Sequence, residues 1–173
     1  VFVVFRHPER QPQITAANGP ERITIEGRKG DQATVHFWAE GPYVFETSQG
    51  RQIDIDVRGL PEPITLDRGW EVRFTPGWGA PESTTFDHLI AWDACEDVDI
   101  KYFSGTATYR KRIELTDRQA DGLSRLRLGR VGCIARVRIN GNEQGVVWTD
   151  PWTIDLTGAI KAGENLLEID VAN

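Results

Sequence analysis

Three runs in the second half of the chain carry the clearest structural signal: Tyr102-Phe103-Ser104-Gly105-Thr106-Ala107-Thr108-Tyr109-Arg110, Ile134-Ala135-Arg136-Val137-Arg138-Ile139-Asn140-Gly141 and Glu164-Asn165-Leu166-Leu167-Glu168-Ile169-Asp170-Val171. Apolar and polar side chains alternate in each run, and turn residues separate the runs. Successive side chains of a strand point to opposite faces, so this pattern is typical of antiparallel strands with one face on a core and one in water. The runs therefore predict an all-β fold.

Further short strands are predicted around these runs, at Ile64 to Leu66, Trp70 to Phe74 and Ile154 to Leu156. The dipeptide Asn140-Gly141 predicts a hairpin, because a type I′ turn needs a positive φ at both central residues. Many short strands with turns between them are typical of a β-sandwich or a jelly roll. The region 61–173 is therefore predicted to be a jelly roll.

Two features interrupt the strand pattern. Ser83 is predicted to cap a short helix over Thr85 to Trp92, where three apolar residues share one helical face. Lys111 breaks the apolar side of its strand, which predicts a position at the edge of the sheet.

The first sixty residues predict a small β-sheet unit. The prolines around Gly59 to Pro63 mark its end, so the predicted domain boundaries are 1–60 and 61–173. A hairpin turn is predicted at Ser48-Gln49-Gly50-Arg51, where Gly50 supplies positive φ. Alternation predicts strands in four segments: Arg22 to Glu26, Ala33 to Ala39, Tyr43 to Thr47 and Gln52 to Val57.

The chain opens on the apolar run Val1 to Phe5 and contains no Met. Such a run is typical of a strand buried on both faces, and a domain rarely begins so abruptly on one. We therefore expect a fragment or a processed product, with Val1 to Phe5 and the small unit as the possible end of an upstream domain. Any export signal would then lie outside this sequence.

Composition excludes several classes of protein. The 173 residues are 39% hydrophobic, which is ordinary for a folded protein with a real core. The net charge of -6 argues against a nucleic-acid or anionic-membrane partner, since both need a basic surface. No apolar run approaches the ~20 residues of a transmembrane helix.

Cysteine and histidine provide no metal-binding signal. Cys95 and Cys133 are predicted to be two separate buried thiols, with a single disulfide between them as the alternative. His7, His36 and His88 are scattered without the spacing of metal ligands. No cofactor and no transition-metal site are predicted from these residues.

The six tryptophans raise the possibility of carbohydrate binding. Aromatic rings stack on the apolar C–H faces of sugars, while charged groups bind the hydroxyls. Trp38 and Trp70 lie on predicted strands and are expected in the core. For Trp148 and Trp152 the favoured interpretation is that they plug the end of the sandwich, whereas Trp78 is open to either role. The candidate carbohydrate-binding residues are Trp78, Glu82, Trp92, Trp148, Asp150 and Trp152.

A glycosidase needs two carboxylates at a fixed separation across the scissile bond. Nothing marks one acidic residue as a buried acid and another as a nucleophile, so a solvated acidic loop is the favoured interpretation and no catalytic residue is assigned. A structural calcium ion is the alternative, because calcium takes several oxygen ligands, although no D-x-D-x-D-G register is present. The residues concerned are Glu82, Asp87, Asp93, Glu96, Asp97 and Asp99.

The arginines of the predicted strands point away from the core. They form either a solvated polar face, which is the favoured interpretation, or a face that packs on an acidic partner domain. These residues are Arg110, Arg112, Arg125, Arg127, Arg136 and Arg138.

The second half also resembles a known family. The runs Tyr102 to Arg110, Ala135 to Gly141, Gly145 to Trp148 and Gly163 to Ile169 resemble the C-terminal β-sandwich of bacterial α-L-rhamnosidases of glycoside hydrolase family 106. The same pattern is similar to the sugar-binding domain of family 2 glycosidases such as β-galactosidase. Further residues that look like the family 106 version are Leu128 to Val131, Pro151-Trp152, Ile154 to Leu156, Trp70 to Gly79 and Val3 to Arg6.

This resemblance implies a galactose-binding-domain-like jelly roll that belongs to a larger bacterial glycoside hydrolase. In that family the catalytic carboxylates lie in a separate barrel domain, so the resemblance implies a partner domain in the same polypeptide and a non-catalytic role here. It also implies a periplasmic or secreted location and a plant or microbial polysaccharide as ligand. The alternatives are a purely structural scaffold and, less favoured, an independent glycosidase.

Overall fold

The computed structural model of the chain describes residues 14–19, 23–25 and 34–173. The chain divides into two compact units, Val1–Leu60 and Pro61–Asn173. Whether each unit folds alone as a domain stays a prediction. The strand predicted at Val1 to Phe5 lies outside the described residues.

The described residues of the first unit form five strands: β1 Ile14–Ala17, β2 Ile23–Ile25, β3 Val35–Phe37, β4 Gly41–Thr47 and β5 Gln52–Val57. The described parts of the four predicted strands are confirmed. β4 pairs with both β1 and β5, and β2 pairs with β3, all antiparallel. The predicted hairpin turn is present between β4 and β5, with Gly50 at a φ of 74°.

Aromatic side chains form the core of the first unit. Tyr43 and Phe45 are buried, and the ring of Phe37 meets both of them edge-on at 4.8 and 6.2 Å between centroids. The Tyr43 hydroxyl donates a 2.6 Å hydrogen bond to the carbonyl oxygen of Ala39. Because a buried hydroxyl without a partner is costly, this bond lets the large ring lie inside a small unit.

The second unit contains eight strands, two short α-helices and a 3-10 helix at Trp92–Ala94. The helices are α1 Val98–Lys101 and α2 Asp117–Gly122. The strands are β6 Trp70–Phe74, β7 Ser83–Phe86, β8 Thr106–Leu115, β9 Arg125–Arg127, β10 Ile134–Ile139, β11 Asn142–Val147, β12 Thr153–Asp155 and β13 Gly163–Ala172.

Six of these strands form one antiparallel sheet in the order β11-β10-β13-β8-β6-β7. At its centre, β8 and β13 pair along their whole length, from Gly163 opposite Leu115 to Ala172 opposite Thr106. The hairpin between β10 and β11 turns at Asn140 and Gly141, whose φ angles are 52° and 81°, as predicted. The β9–β12 pair forms a second, smaller sheet. The predicted all-β sandwich is confirmed.

Alternation along the central strands supplies the core of the second unit. Inward residues such as Ala107, Val137 and Leu167 are buried, while their neighbours in sequence face outward. Ile154 and Leu156, from β12 and the residue after it, join the same core. Burying a side chain of this size stabilises the fold by about 1.5–3 kcal/mol relative to exposing it.

One polar residue, Asn165, is fully buried at the start of β13. Its amide donates to the carbonyl oxygens of Lys161 (2.7 Å) and Gly163 (3.1 Å). Its side-chain oxygen accepts from the Lys161 amide and the Asn140 side chain, both at 3.0 Å. Since every donor and acceptor is paired, the group is tolerated in the core and fixes the turn before β13.

Two sequence predictions near β6 are wrong. Ser83 does not cap a helix over Thr85 to Trp92, because Ser83–Phe86 is strand β7, which pairs with β6. Ser and Thr at alternate positions suit an exposed outer strand, and pairing with β6 outweighs the weak helical pattern. Ile64 to Leu66 is not a strand but part of an extended connection, and only Leu66 packs against the core.

The prediction that Lys111 lies at a sheet edge is wrong, because Lys111 lies on the central strand β8. Its inward position is tolerated because β6 begins beside it, at Trp70, and does not extend past it. The Nζ atom donates a 2.5 Å hydrogen bond to the Arg68 carbonyl oxygen and lies 5.8 Å from the centre of the Trp70 ring. The long aliphatic stem thus covers apolar surface while the charge reaches polar partners.

The two cysteines are free. Cys95 is half-buried beside the core, whereas Cys133 is exposed, so the prediction of two buried thiols is wrong for Cys133. Cys133 lies in the connection just before β10, and no other described part of the chain packs over it. Across the described residues, no helix has the length and apolar character needed to cross a bilayer.

Candidate functional site

The six-stranded sheet has two ends, and the end that contains the C-terminus of β6 and the N-terminus of β8 is called the loop end here. Phe74 at the end of β6 lies opposite Ala107 near the start of β8. Thr106 lies opposite Ala172, and Ala172 lies opposite Ile134 at the start of β10. The next residue of β10, Ala135, lies opposite Val147 at the end of β11. Segments that follow β6, β11 and β13, and segments that precede β7, β8 and β10, therefore emerge together.

Trp78 lies at this end, in the loop between β6 and β7. The loop is closed at its base by a 3.1 Å hydrogen bond from the Phe74 amide to the carbonyl oxygen of Glu82. The Trp78 side chain is 63% exposed. A Cβ placed at Gly105 would lie 3.2 Å from Cε3 of Trp78 and 2.8 Å from Cζ of Phe103, so the indole rests on Gly105. Glycine at position 105 thus lets an exposed ring lie close to the backbone.

Tyr102 follows α1 at the same end and is 77% exposed. The buried neighbours Ile100 and Phe103 anchor the segment from both sides. The side chain of Asn173 accepts a 3.0 Å hydrogen bond from the Gly105 amide and donates a 3.0 Å bond to the Phe103 carbonyl oxygen. These contacts hold Tyr102 on an ordered support. Tyr102 is not among the carbohydrate-binding residues predicted from the sequence, because its exposure depends on the tertiary fold.

Trp148 directly follows β11 and is 76% exposed. The favoured interpretation that it plugs the sandwich is therefore wrong for this residue. Four strand steps separate β11 from β6, which places the end of β11 next to Trp148 roughly 19 Å from the end of β6, where the loop that carries Trp78 begins, at normal strand spacing. The loop end thus presents widely spaced rings rather than a single aromatic pocket.

Asp150 and Trp152 continue the segment beyond Trp148. Asp150 is exposed and precedes Pro151 through a cis peptide bond. Trp152 is half-buried, and its carbonyl oxygen accepts a 2.8 Å hydrogen bond from the Leu128 amide beside β9. Trp152 is therefore tied to the second sheet, in partial agreement with the plug interpretation.

Trp92 occupies a different environment from the other candidates. Its ring meets those of Phe74 and Phe103 at 6.0 and 5.5 Å, and its indole N–H donates a 2.6 Å hydrogen bond to the Tyr109 hydroxyl. Burial raises the pKa of Tyr109, and the hydrogen bond from Trp92 only partly offsets that effect. Trp92 thus lies under the loop end and packs against Phe103, whose ring adjoins Gly105 beside Trp78.

The acidic residues after Trp92 have local structural partners. Asp97 caps α1 through a 2.9 Å hydrogen bond from the Asp99 amide, and Asp99 lies in the first helical turn, where the helix dipole favours a negative charge. Asp93, Glu96 and Asp99 are exposed. Glu82 and Asp87, at either end of β7, are also exposed. In the described part of the chain, no three His, Cys, Asp or Glu residues are placed to hold a metal ion.

The outer face of the six-stranded sheet carries a row of alternating charges, formed by Glu71, Arg110, Glu168 and Arg138, which we call the outer row. Register places each member opposite the next. Arg110 Nε lies 3.0 Å from Glu168, and Arg138 Nε lies 3.6 Å from the same carboxylate. The face is therefore polar, as predicted, but four of the six predicted arginines lie on it, because Arg125 and Arg127 belong to the smaller sheet.

Asp170 extends this network from the adjacent position on β13. It accepts hydrogen bonds from both terminal nitrogens of Arg138 and a 2.8 Å bond from the Thr108 hydroxyl. Partial burial alone would raise the pKa of Asp170, but the bonds from Arg138 and Thr108 outweigh it and lower the pKa below its usual value. The same pairing raises the pKa of Arg138. The charged side chains of the outer row and Asp170 are thus paired with one another on the outer face.

No protein-family model matches the chain. Over 135 residues, 77% of its length, the chain is 36% identical to a putative β-glucuronidase of Formosa agariphila, of which it covers 12%. Among solved structures, 94% of the chain matches 21% of the rhamnosidase from Novosphingobium sp. PP1Y, with a TM-score of 0.62 and 26% identity.

A β-D-glucuronidase of Dictyoglomus thermophilum is similar over 62% of the chain, with a TM-score of 0.52 and 21% identity, which shows the fold alone. The chain spans about a fifth or less of each of these proteins. It is therefore a glycoside-hydrolase-like domain region, similar to one portion of such larger chains.

Proposed function

We propose that the chain is a non-catalytic accessory region of a glycoside hydrolase and that it binds carbohydrate at the loop end. The observation that carries this proposal is the exposure of Trp78, Tyr102 and Trp148 at one end of a single sheet. Stacking on a ligand removes the face of such a ring from water, and pyranose rings offer apolar faces for stacking.

The candidate residues have separate roles in this proposal. Trp78 and Trp148 are stacking platforms, and the carboxylates of Glu82 and Asp150 bind sugar hydroxyls beside them. Trp92 and Trp152 are half-buried and hold the platforms in place. The spacing of the platforms suits an extended oligosaccharide better than one monosaccharide.

The larger protein is proposed to resemble an α-L-rhamnosidase of family 106. The similarity to the Novosphingobium rhamnosidase extends over nearly the whole chain, including the small first unit, whereas the Dictyoglomus glucuronidase matches a smaller part. The second unit would then be a galactose-binding-like jelly roll, and bond cleavage would take place in a barrel domain of the same polypeptide. A periplasmic or secreted location follows from that proposal.

A purely structural scaffold is the second candidate. Trp148 lies beside the exposed residue Val146 of β11, and β11 is an edge strand of the six-stranded sheet. A neighbouring domain could cover this apolar patch in place of a sugar. Under this alternative Trp148 contacts protein, and the chain binds no ligand of its own.

A calorimetric titration of the 173-residue chain tests the proposal. The ligands are rhamnose-containing pectic oligosaccharides and galactosides, with and without calcium. We expect saturable heat, and an affinity reduced about fivefold by Trp78→Ala or Trp148→Ala, since one lost stacking ring corresponds to ~1 kcal/mol. Leu89→Ala is the control, because this exposed residue follows β7 at the opposite end of the sheet. An absence of heat with every ligand favours the scaffold.

A further inference from the structure

The surroundings of Trp78 use glycine for two different physical reasons. Gly77 and Gly79 flank the tryptophan at φ angles of 80° and 100°, and no described atom lies within 4 Å of a Cβ built on either. Their backbone conformation therefore requires glycine. Gly105, directly before β8, has no positive φ, yet a Cβ there would lie 2.8 Å from Cζ of Phe103 and 3.2 Å from Cε3 of Trp78. Position 105 is therefore restricted by space and not by backbone conformation.

The loop that carries Trp78 is tied to the backbone beside Gly105. The amide and the hydroxyl of Thr75 both donate to the carbonyl oxygen of Thr106, at 3.2 and 2.9 Å respectively. Further along the same loop, Ala80 packs against the core. Trp78 therefore lies between two fixed points of a short loop, and the first of them is bound to the residue next to Gly105.

The residues around Gly105 are also fixed. Phe103 is buried, and its ring meets those of Phe74 and Trp92 at 5.0 and 5.5 Å between centroids. In such a close-packed core the ring has no space into which it could move away from a new methyl group. Asn173 accepts a hydrogen bond from the Gly105 amide and donates one to the Phe103 carbonyl oxygen, both at 3.0 Å. We call Phe103, Gly105 and Asn173 the indole seat.

We propose that the indole seat orders the Trp78 ring as a stacking platform, with Gly105 as the positioning residue. This inference rests on the proposed binding of carbohydrate at the loop end. A ring that is ordered before binding loses less conformational freedom when a sugar stacks on it, so the affinity depends on the seat. A methyl group at position 105 displaces the indole, because Trp78 is 63% exposed whereas Phe103 is enclosed.

The first test needs no sugar. In ¹H–¹⁵N spectra of the 173-residue chain, with the Trp78 signal assigned by Trp78→Phe, Gly105→Ala is expected to shift or broaden the indole N–H signal of Trp78. Gly132→Ala is the matched control, because Gly132 also lies in a connection at the loop end, has no positive φ and has no described atom within 4 Å of a built Cβ. An unchanged Trp78 signal in folded Gly105→Ala protein overturns the proposal.

The second test asks whether Gly105 acts through Trp78. In calorimetric titrations with rhamnose-containing pectic oligosaccharides and galactosides, Gly105→Ala is expected to weaken the affinity about threefold, both alone and in the Trp148→Ala background. In the Trp78→Ala background it should have no further effect, because the ring that it displaces is absent. An equal loss with and without the Trp78 ring would mean a general loosening of the loop end and would overturn the proposal.

Asn173→Ala is a second variant, which introduces no methyl group beside Phe103. It removes both side-chain bonds that hold Phe103 and Gly105, so the Trp78 signal is expected to broaden. Asn142→Ala changes an exposed asparagine at the other end of the sheet and should leave that signal in place. If Gly105→Ala does not fold, an unchanged Trp78 signal in Asn173→Ala overturns the proposal. Failure of the proposed function is distinguishable, because the wild-type chain would then bind no sugar while the unliganded spectra still report on the seat.

Discussion

The core beneath the sheet and the loop end use tryptophan in opposite ways. Trp70 and Trp92 are packed among other rings, and each donates its indole N–H, to the Leu66 carbonyl oxygen and the Tyr109 hydroxyl respectively, at 2.6 Å. Trp78 and Trp148 present most of their surface to water. The difference shows that a tryptophan's role is set by the partners the fold brings to it, and not by its place beside a loop or strand.

The largest expected effect is a loss of stability when one of the two buried tryptophans is replaced. Trp92→Ala removes a ring that contacts Phe74 and Phe103 and leaves the buried Tyr109 hydroxyl without its donor. We expect a loss of about 3 kcal/mol in the free energy of unfolding, typical of large-to-small core substitutions. Urea denaturation of the chain measures it.

Trp148→Ala is the matched variant on the exposed side. It should change the free energy of unfolding by no more than about 0.5 kcal/mol, as for other surface positions. Equal losses in the two variants would mean that Trp148 packs like a core residue and would remove the basis for a binding platform.

A smaller effect is expected on the outer sheet face, where charges have partners that the loop-end aromatics lack. Asp170→Asn weakens the bonds from Arg138 and Thr108, at a cost of about 1 kcal/mol near neutral pH. The folded-state pKa of Asp170 is lowered, so its contribution is present above the unfolded value of about 4 and is lost as pH falls through the folded value.

Unfolding free energies measured between neutral and acidic pH check this prediction. The wild-type chain should lose stability more steeply below the unfolded pKa than Asp170→Asn does, and the two curves should converge in acid. Asp87→Asn, an exposed residue beyond β7, is the control and should run parallel to the wild type. Parallel curves for Asp170→Asn would contradict a stabilising role for the carboxylate.

The sequence predicts the sheet well because strand alternation is a local signal. Val137, Leu167 and their neighbours repeat at the period of a strand, and Asn140-Gly141 has few alternatives to a hairpin. Ser83–Phe86 was missed because a short outer strand of Ser and Thr has little apolar pattern and is stabilised by its pairing with β6.

The candidate site is less predictable because it depends on tertiary neighbours. Trp78 and Trp92 both lie in connections, yet only Trp92 has the Tyr109 hydroxyl within reach. The exposure of Trp148 depends on where β11 ends in the sheet, and the local sequence carries no signal for that end.

The most direct test of the central claim compares the indole N–H signals within one molecule. In ¹H–¹⁵N spectra of the chain, recorded during titration with rhamnose-containing pectic oligosaccharides and galactosides, each tryptophan is assigned by a Trp→Phe variant. We predict concentration-dependent shifts for Trp78 and Trp148, while Trp70 and Trp92 stay in place because their N–H groups are bonded inside the core. If Trp78 and Trp148 do not move at saturating sugar, the loop end is not a carbohydrate site.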